Sequence, residues 1–201
     1  MPYAPSLILA ALLCASGPAL AQQPGSALAL ATPAAATMAP TLAVGGQRLQ
    51  LNGAGTRQLG AQPQYVLGLY LSHPASTTEQ ALDNPQAKQL RWVALRSFSA
   101  SEWQAQLAQA VRTSLSNEDM ANAMPVLFQF GTLVPLGQGL AAGDVVQIDW
   151  TADAHTVVSI NGERFGEPIE GQARFNALAR IWLGARPADA QLKQALLGAA
   201  V

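Results

Sequence analysis

Residues Tyr65 to Leu71, YVLGLYL, carry no charged side chain and are apolar at odd and even positions alike. A strand alternates its side chains between two faces, so a run apolar at both parities predicts a central strand rather than an exposed one. The rest of the chain must supply what lies beside it. Thr41 to Val44 predicts a short strand turned at Gly45-Gly46, and Arg48 to Asn52 continues as RLQLN with Leu49 and Leu51 on one face. Gly53 and Gly55 then mark a bend or bulge. Gln89 to Arg96 reads as another strand. Asp144 to Thr151, His155 to Ile160 and Glu163 to Ile169 form a further strand block, and Asn161-Gly162 is the strongest hairpin signal in the chain.

Helical segments separate these blocks. Thr77 to Leu82 predicts a short helix that ends before Pro85. Ser99 with Glu102 three residues on has capping-box spacing, opening a helix that runs to about Leu115. A second helix starts near Asn117-Glu118, with Pro125 expected to kink or restart it and Leu127, Phe128, Phe130 and Leu133 expected to pack inward. Gln172 to Leu183 places Phe175, Leu178, Ala179 and Trp182 at helical spacing before a Gly184 cap. A last helix is expected to start at Pro187 and end at Leu197-Gly198. Strand blocks segregated from helix blocks predict an α+β domain with a mostly antiparallel sheet.

Only 11% of the residues are charged, against about 25% in an average soluble domain, and the net charge is −1. No basic face is available to displace counterions from a nucleic acid. All the charges follow Gln47. Ahead of them, the apolar run Ser6 to Ala15, the Ser16-Gly17-Pro18 break and Ala19-Leu20-Ala21 read as a secretory signal peptide cut after Ala21, although no Lys or Arg precedes the run. The run is too short for a stable membrane span. Residues 22–40, rich in Ala, Pro, Ser and Thr, read as a disordered linker, leaving 41–201 as the folded domain. The lone cysteine, Cys14, is expected to leave with the signal, so the mature chain has no disulfide. A periplasmic or secreted destination follows.

Few residues carry recognisable chemistry. His73 and His155 are far apart and lack cysteine partners, so no metal is expected. Gly45-Gly46 and Gly53-Ala-Gly55 are followed by no Gly-Lys-Ser/Thr, which argues against a nucleotide, and no cofactor is expected. Asp144, Asp149 and Asp153 read as solvated caps. Trp92, Trp103, Trp150 and Trp182 either pack the core or bound an apolar ligand cavity. Arg57 stands just ahead of the apolar strand. Buried, it needs an anion; the alternatives are an exposed loop arginine or one paired with an internal acid.

Leu51 to Arg57 (LNGAGTR), YVLGLYL, SASEW, Val157 to Gly162 (VVSING), Phe175, Ile181 to Gly184 (IWLG) and Pro187 occur in an order that resembles the chalcone isomerase-like family, specifically its bacterial secreted branch. The resemblance spans about residues 42–198. It implies an open-faced β-sandwich, a large antiparallel sheet carrying a helical layer with a ligand cleft between. Plant chalcone isomerases cyclise a phenolate onto an enone and stabilise the resulting enolate with an arginine and several donors. Carried onto this chain, the arginine is Arg57 and the strand threonine becomes Tyr65. The helix tyrosine becomes Trp103, the asparagine Ala110 and the late Ser/Thr Ile181. Losing one oxyanion donor costs about 100- to 1,000-fold in rate, so efficient chalcone cyclisation is not expected. Fatty-acid-binding relatives hold a carboxylate with an Arg–Tyr pair. The resemblance therefore implies a non-catalytic protein holding a small amphipathic carboxylate at Arg57 and Tyr65, with Trp103, Ala110 and Ile181 along the tail. An isomerase acting on a phenolic or enone substrate, with Arg57 and Tyr65 catalytic, and an envelope protein-interaction module remain the rival readings.

Overall fold

The computed structural model describes residues 38–132 and 139–198. These belong to one contact unit, Ala31–Val201. The proposed signal segment, Cys14, most of the linker and Leu133 lie outside the described residues.

The strands among the described residues form a single antiparallel sheet of seven, in sequence order. They are β1 (Thr41–Val44), β2 (Gln47–Leu59), β3 (Gln62–Leu71), β4 (Lys88–Ala94), β5 (Val145–Trp150), β6 (His155–Ile160) and β7 (Glu163–Glu170). Five helices complete the described fold: α1 (Thr78–Asp83), α2 (Ala100–Ser114), α3 (Asn117–Thr132), α4 (Gln172–Leu183) and α5 (Ala190–Leu196). Neighbouring strands are joined by hairpins where the turn chemistry allows it. Asn161-Gly162 turns β6 into β7 with φ of +51° and +84°, the left-handed pair that a two-residue hairpin needs.

The register explains the apolar β3. Leu67 pairs with Trp92 and that residue with Val146, while Leu69, Leu90 and Ile148 form the next rung. These side chains face the helices and bury α4, whose Phe175, Leu178 and Ile181 are wholly inaccessible. The alternate residues Val66 and Tyr70 face the other way, against Met38, Val44, Leu49, Ala87 and Val93. A second small core thus covers the reverse face of β3, and the strand is apolar throughout because both sides are buried.

Several expectations change. β2 does not stop at Asn52 but runs on to Leu59, with register shifts at Leu51/Gly53 and Arg57/Gln58. Gly53 and Gly55 lie within it as seats for α5. A Cβ on Gly53 would lie 2.0 Å from the Ala195 carbonyl oxygen, and one on Gly55 2.8 Å from Leu192 Cδ1. Asn52 clamps the same junction, donating from Nδ2 to the carbonyls of Ala75 (2.9 Å) and Leu196 (2.7 Å) and accepting from Ala75 N–H. α3 continues through Pro125 rather than restarting there. Phe128 is 71% exposed instead of packing inward, while Phe130 is buried as expected. The last helix starts at Ala190, not Pro187, because Asp189 caps it by accepting from the N–H groups of Gln191 and Leu192.

Candidate functional site

A cavity of about 370 Å³ opens where the ends of β2, β3 and β4 meet α2. Its inner wall is aromatic. Tyr65 and Trp92 come from paired strands with ring centroids 5.1 Å apart, and Trp103 meets Trp92 edge-on at 4.8 Å. α2 presents Glu102, Gln106, Gln109 and Thr113 at spacings of three and four, with Trp103, Leu107 and Ala110 alongside. The Ser99 side chain caps this helix through Glu102 N–H. Arg96 holds the Glu102 carboxylate at the rim, pulling its pKa below the usual range through the hydrogen bond.

Tyr65 stands opposite Arg57 in the β2–β3 register, so one rung of the sheet brings both to the cavity. The phenol oxygen accepts a hydrogen bond from Trp182 Nε1 at 3.0 Å, its one hydrogen-bond partner among the described residues, and the phenol proton is left to point elsewhere. Burial pushes the Tyr65 pKa up to about 12, outweighing the Trp182 hydrogen bond and the Arg57 charge that lower it. At neutral pH this hydroxyl is therefore a neutral donor.

Arg57 is paired with an internal acid: Nη1 donates to Asp189 Oδ2 at 2.8 Å. The contact uses one guanidinium nitrogen. Nε and Nη2 make no hydrogen bond among the described residues, and Arg57 remains partly exposed on the cavity wall. Burial alone raises the Asp189 carboxyl, but the Leu192 N–H, Arg57 and the Gln191 N–H together hold it below the usual range. Asp189 was not among the residues singled out from the sequence. Its one signal there was an aspartate directly before an apolar-periodic segment, a helix-cap signature.

The structure brings Arg57, Tyr65, Trp103 and Ala110 to one cavity. It does not bring Ile181, which is wholly buried in the core. Trp182, the next residue, lines the cavity instead: one helical position turns the side chain by about 100°, enough to exchange wall for core. Trp150 sits elsewhere in the core, donating from Nε1 to the Pro85 carbonyl. Of the aspartates expected to be solvated caps, Asp149 is not one. It accepts from Gln89 Nε2 at 2.7 Å, and burial raises its pKa to about 6. Among the described residues no three His, Cys, Asp or Glu cluster as metal ligands, and no helix is long and apolar enough to cross a membrane.

A family model described as chalcone isomerase-like matches residues 31–198. The chain belongs to the chalcone isomerase-like family. Its fold is also similar to the crystal structure of an Arabidopsis thaliana fatty-acid binding protein, with a TM-score of 0.56 at 12% identity over 80% of this chain and 91% of that one. No curated protein matches the sequence. In this chalcone isomerase-like chain the sheet and helices thus enclose a mostly apolar cavity, with an arginine and a tyrosyl hydroxyl on adjacent strands.

Proposed function

We propose that this chalcone isomerase-like chain is a non-catalytic binding protein for a small amphipathic acid of the fatty-acid class. The observation that carries the proposal is the pair on one rung: Arg57 with two guanidinium nitrogens unengaged among the described residues, beside Tyr65 with a neutral hydroxyl. A carboxylate between them gains charge-assisted hydrogen bonds worth about 1.5–3 kcal/mol each. The tail lies along Trp92, Trp103, Leu107 and Ala110, where each buried methylene adds about 0.8 kcal/mol. At about 370 Å³ the cavity is near the lower end of the roughly 300–1,000 Å³ of ligand sites. A medium-length chain or compact ring acid fits better than a long extended tail. The fatty-acid-binding neighbour supports the same reading through its fold.

Catalysis by the isomerase route is the weaker reading. With its pKa at about 12, Tyr65 does not act as a base at neutral pH, and Trp103 and Ala110 stand where the resemblance puts a tyrosine and an asparagine, so those two donors are lost, although Gln106, Gln109 and Thr113 bring other polar groups to the wall. The signal-like N-terminus, Ser6 to Ala21, supports export to the periplasm or beyond, as in a bacterial secreted branch.

Mass spectrometry of the protein purified under native conditions tests both points. A co-purifying carboxylic acid and a mature mass starting at Gln22 are expected. A ligand-free protein that takes up no added acid contradicts the binding role, and an intact Met1 chain in the exported fraction contradicts cleavage after Ala21.

A further inference from the structure

A second pocket of about 530 Å³ lies away from the aromatic cavity, lined by α1, the α2–α3 corner, the end of α4 and α5. Its walls carry both signs of charge. Lys193 Nζ is fixed to the Gly184 carbonyl at 2.9 Å, and Arg186 Nη2 to the Leu115 carbonyl at 3.1 Å. Neither cation has an acidic partner among the described residues, and each keeps further N–H donors. Glu79 and Asp83 stand four residues apart on one face of α1 and line the same pocket. Neither forms an ion pair among the described residues, although Asp83 lies in the field of buried Lys88. The remaining charges are spent on each other: Arg180 donates to Asp119 Oδ1 at 2.9 Å, and Ser116 Oγ donates to Asp119 Oδ2. Ser114, also on the wall, is 7% exposed, with a hydroxyl that meets no hydrogen-bond partner among the described residues. Buried polar groups without partners are rare enough in native proteins to need a reason.

Unpaired charges of opposite sign around one hollow discriminate between ligands. A simple anion drawn to Lys193 and Arg186 meets Glu79 and Asp83; a simple cation meets the converse. An apolar molecule gains little from a wall this polar. Only a dipolar molecule is attracted by both halves.

We propose that this pocket is a second binding site, for a small zwitterion bearing a carboxylate and an ammonium. Arg186 and Lys193 take the carboxylate, and Glu79 and Asp83 take the ammonium. Free amino acids and short unblocked peptides share this chemistry. The site uses none of the residues of the fatty-acid cavity, so either assignment stands or falls alone.

Calorimetric titration of the full chain at low salt tests it, with glycine, 6-aminohexanoate and glycylglycine as probes. Saturable binding of at least one is expected, with acetate, ethylammonium and inorganic phosphate at least about tenfold weaker. The probe that binds tells the source: glycine a free amino acid, glycylglycine a peptide, 6-aminohexanoate a longer charge separation. Arg186→Gln and Glu79→Gln, both at exposed positions and checked for folding by circular dichroism, each weaken binding about tenfold; Arg164→Gln, exposed on β7 and lining neither pocket, leaves it unchanged. No saturable binding up to about 10 mM, equal binding of acetate or phosphate, or indifference to both substitutions overturns the proposal.

Discussion

Arg57 and Asp189 join the second strand to the last helix through a single nitrogen–oxygen contact of 2.8 Å. The aspartate does two things at once. One oxygen holds the guanidinium, and the other accepts the N–H groups of Gln191 and Leu192 that open α5. The cation beside the cavity is therefore already partly satisfied, through one of its three nitrogens, and a bound acid competes with a carboxylate that belongs to the protein.

Asp189→Asn separates those roles, since asparagine caps a helix about as well as aspartate but carries no charge. Affinity for a medium-chain acid such as decanoate rises about tenfold, the worth of one charge-assisted bond. The pair is partly exposed, so the stability loss is no more than about 1 kcal/mol. Tryptophan fluorescence titration measures the first and urea unfolding the second. Unchanged decanoate affinity places the head group away from Arg57.

Tyr65→Phe removes the hydroxyl and leaves Trp182 Nε1 buried without its acceptor. Stability falls by about 1–3 kcal/mol. The double variant Tyr65→Phe with Trp182→Phe recovers much of that loss while decanoate affinity stays low. Recovery of affinity together with stability means that the hydroxyl serves packing alone. Absorbance of the tyrosinate completes the test. Because the folded pKa of about 12 lies above the ordinary 10, Tyr65 adds stability below pH 10 that is lost as pH rises toward 12.

Gly53→Ala drives a methyl group into the Ala195 carbonyl, 2.0 Å from where the Cβ would sit. Backbone has to move, so α5 separates from β2, and with it goes Asp189. A loss of at least about 1–3 kcal/mol is expected, together with proteolytic cleavage near α5. A melting temperature within error of the wild type contradicts the seating of this helix.

Lys88 is 1% exposed and donates to the carbonyls of Leu82 and Asn84 at the end of α1. Burial lowers its pKa from 10.5 to about 8. The unfolded chain then binds more protons between those values, so stability rises with pH across the window from 8 to 10.5, by an amount on the order of 3 kcal/mol. Gln172 Nε2 donates to the same two carbonyls, so Lys88→Met orphans neither. Urea midpoints at pH 7.5 and 9.5 rise for the wild type relative to the methionine variant; parallel behaviour contradicts a destabilised buried ammonium.

The architecture was legible because its signals are local and redundant. The two-parity apolar run of β3, the Asn161-Gly162 turn and the Ser99 cap each survive in the structure unchanged. The site was legible only in part. Arg57 and Tyr65 meet because of strand pairing, which their spacing around a tight turn allows. Asp189 reaches Arg57 from 132 positions away, and no local pattern reports a partner at that distance. Trp182 displaces Ile181 through a single step of helix rotation, finer than a gapped resemblance resolves. Gly53 and Gly55 looked like a bend because glycine signals close approach and turning equally; which one applies depends on α5, about 140 residues later. Phe128 points outward because the side of α3 facing the core is taken by Ala123, Val126 and Phe130.

The most direct measurement is a calorimetric titration of decanoate into the wild type and into Arg57→Gln at low ionic strength. Saturable one-to-one binding that weakens about tenfold or more in the variant is the predicted result, since the tail contacts persist and only the head loses its cation. Equal binding by both proteins, or none by the wild type, contradicts an acid held at Arg57.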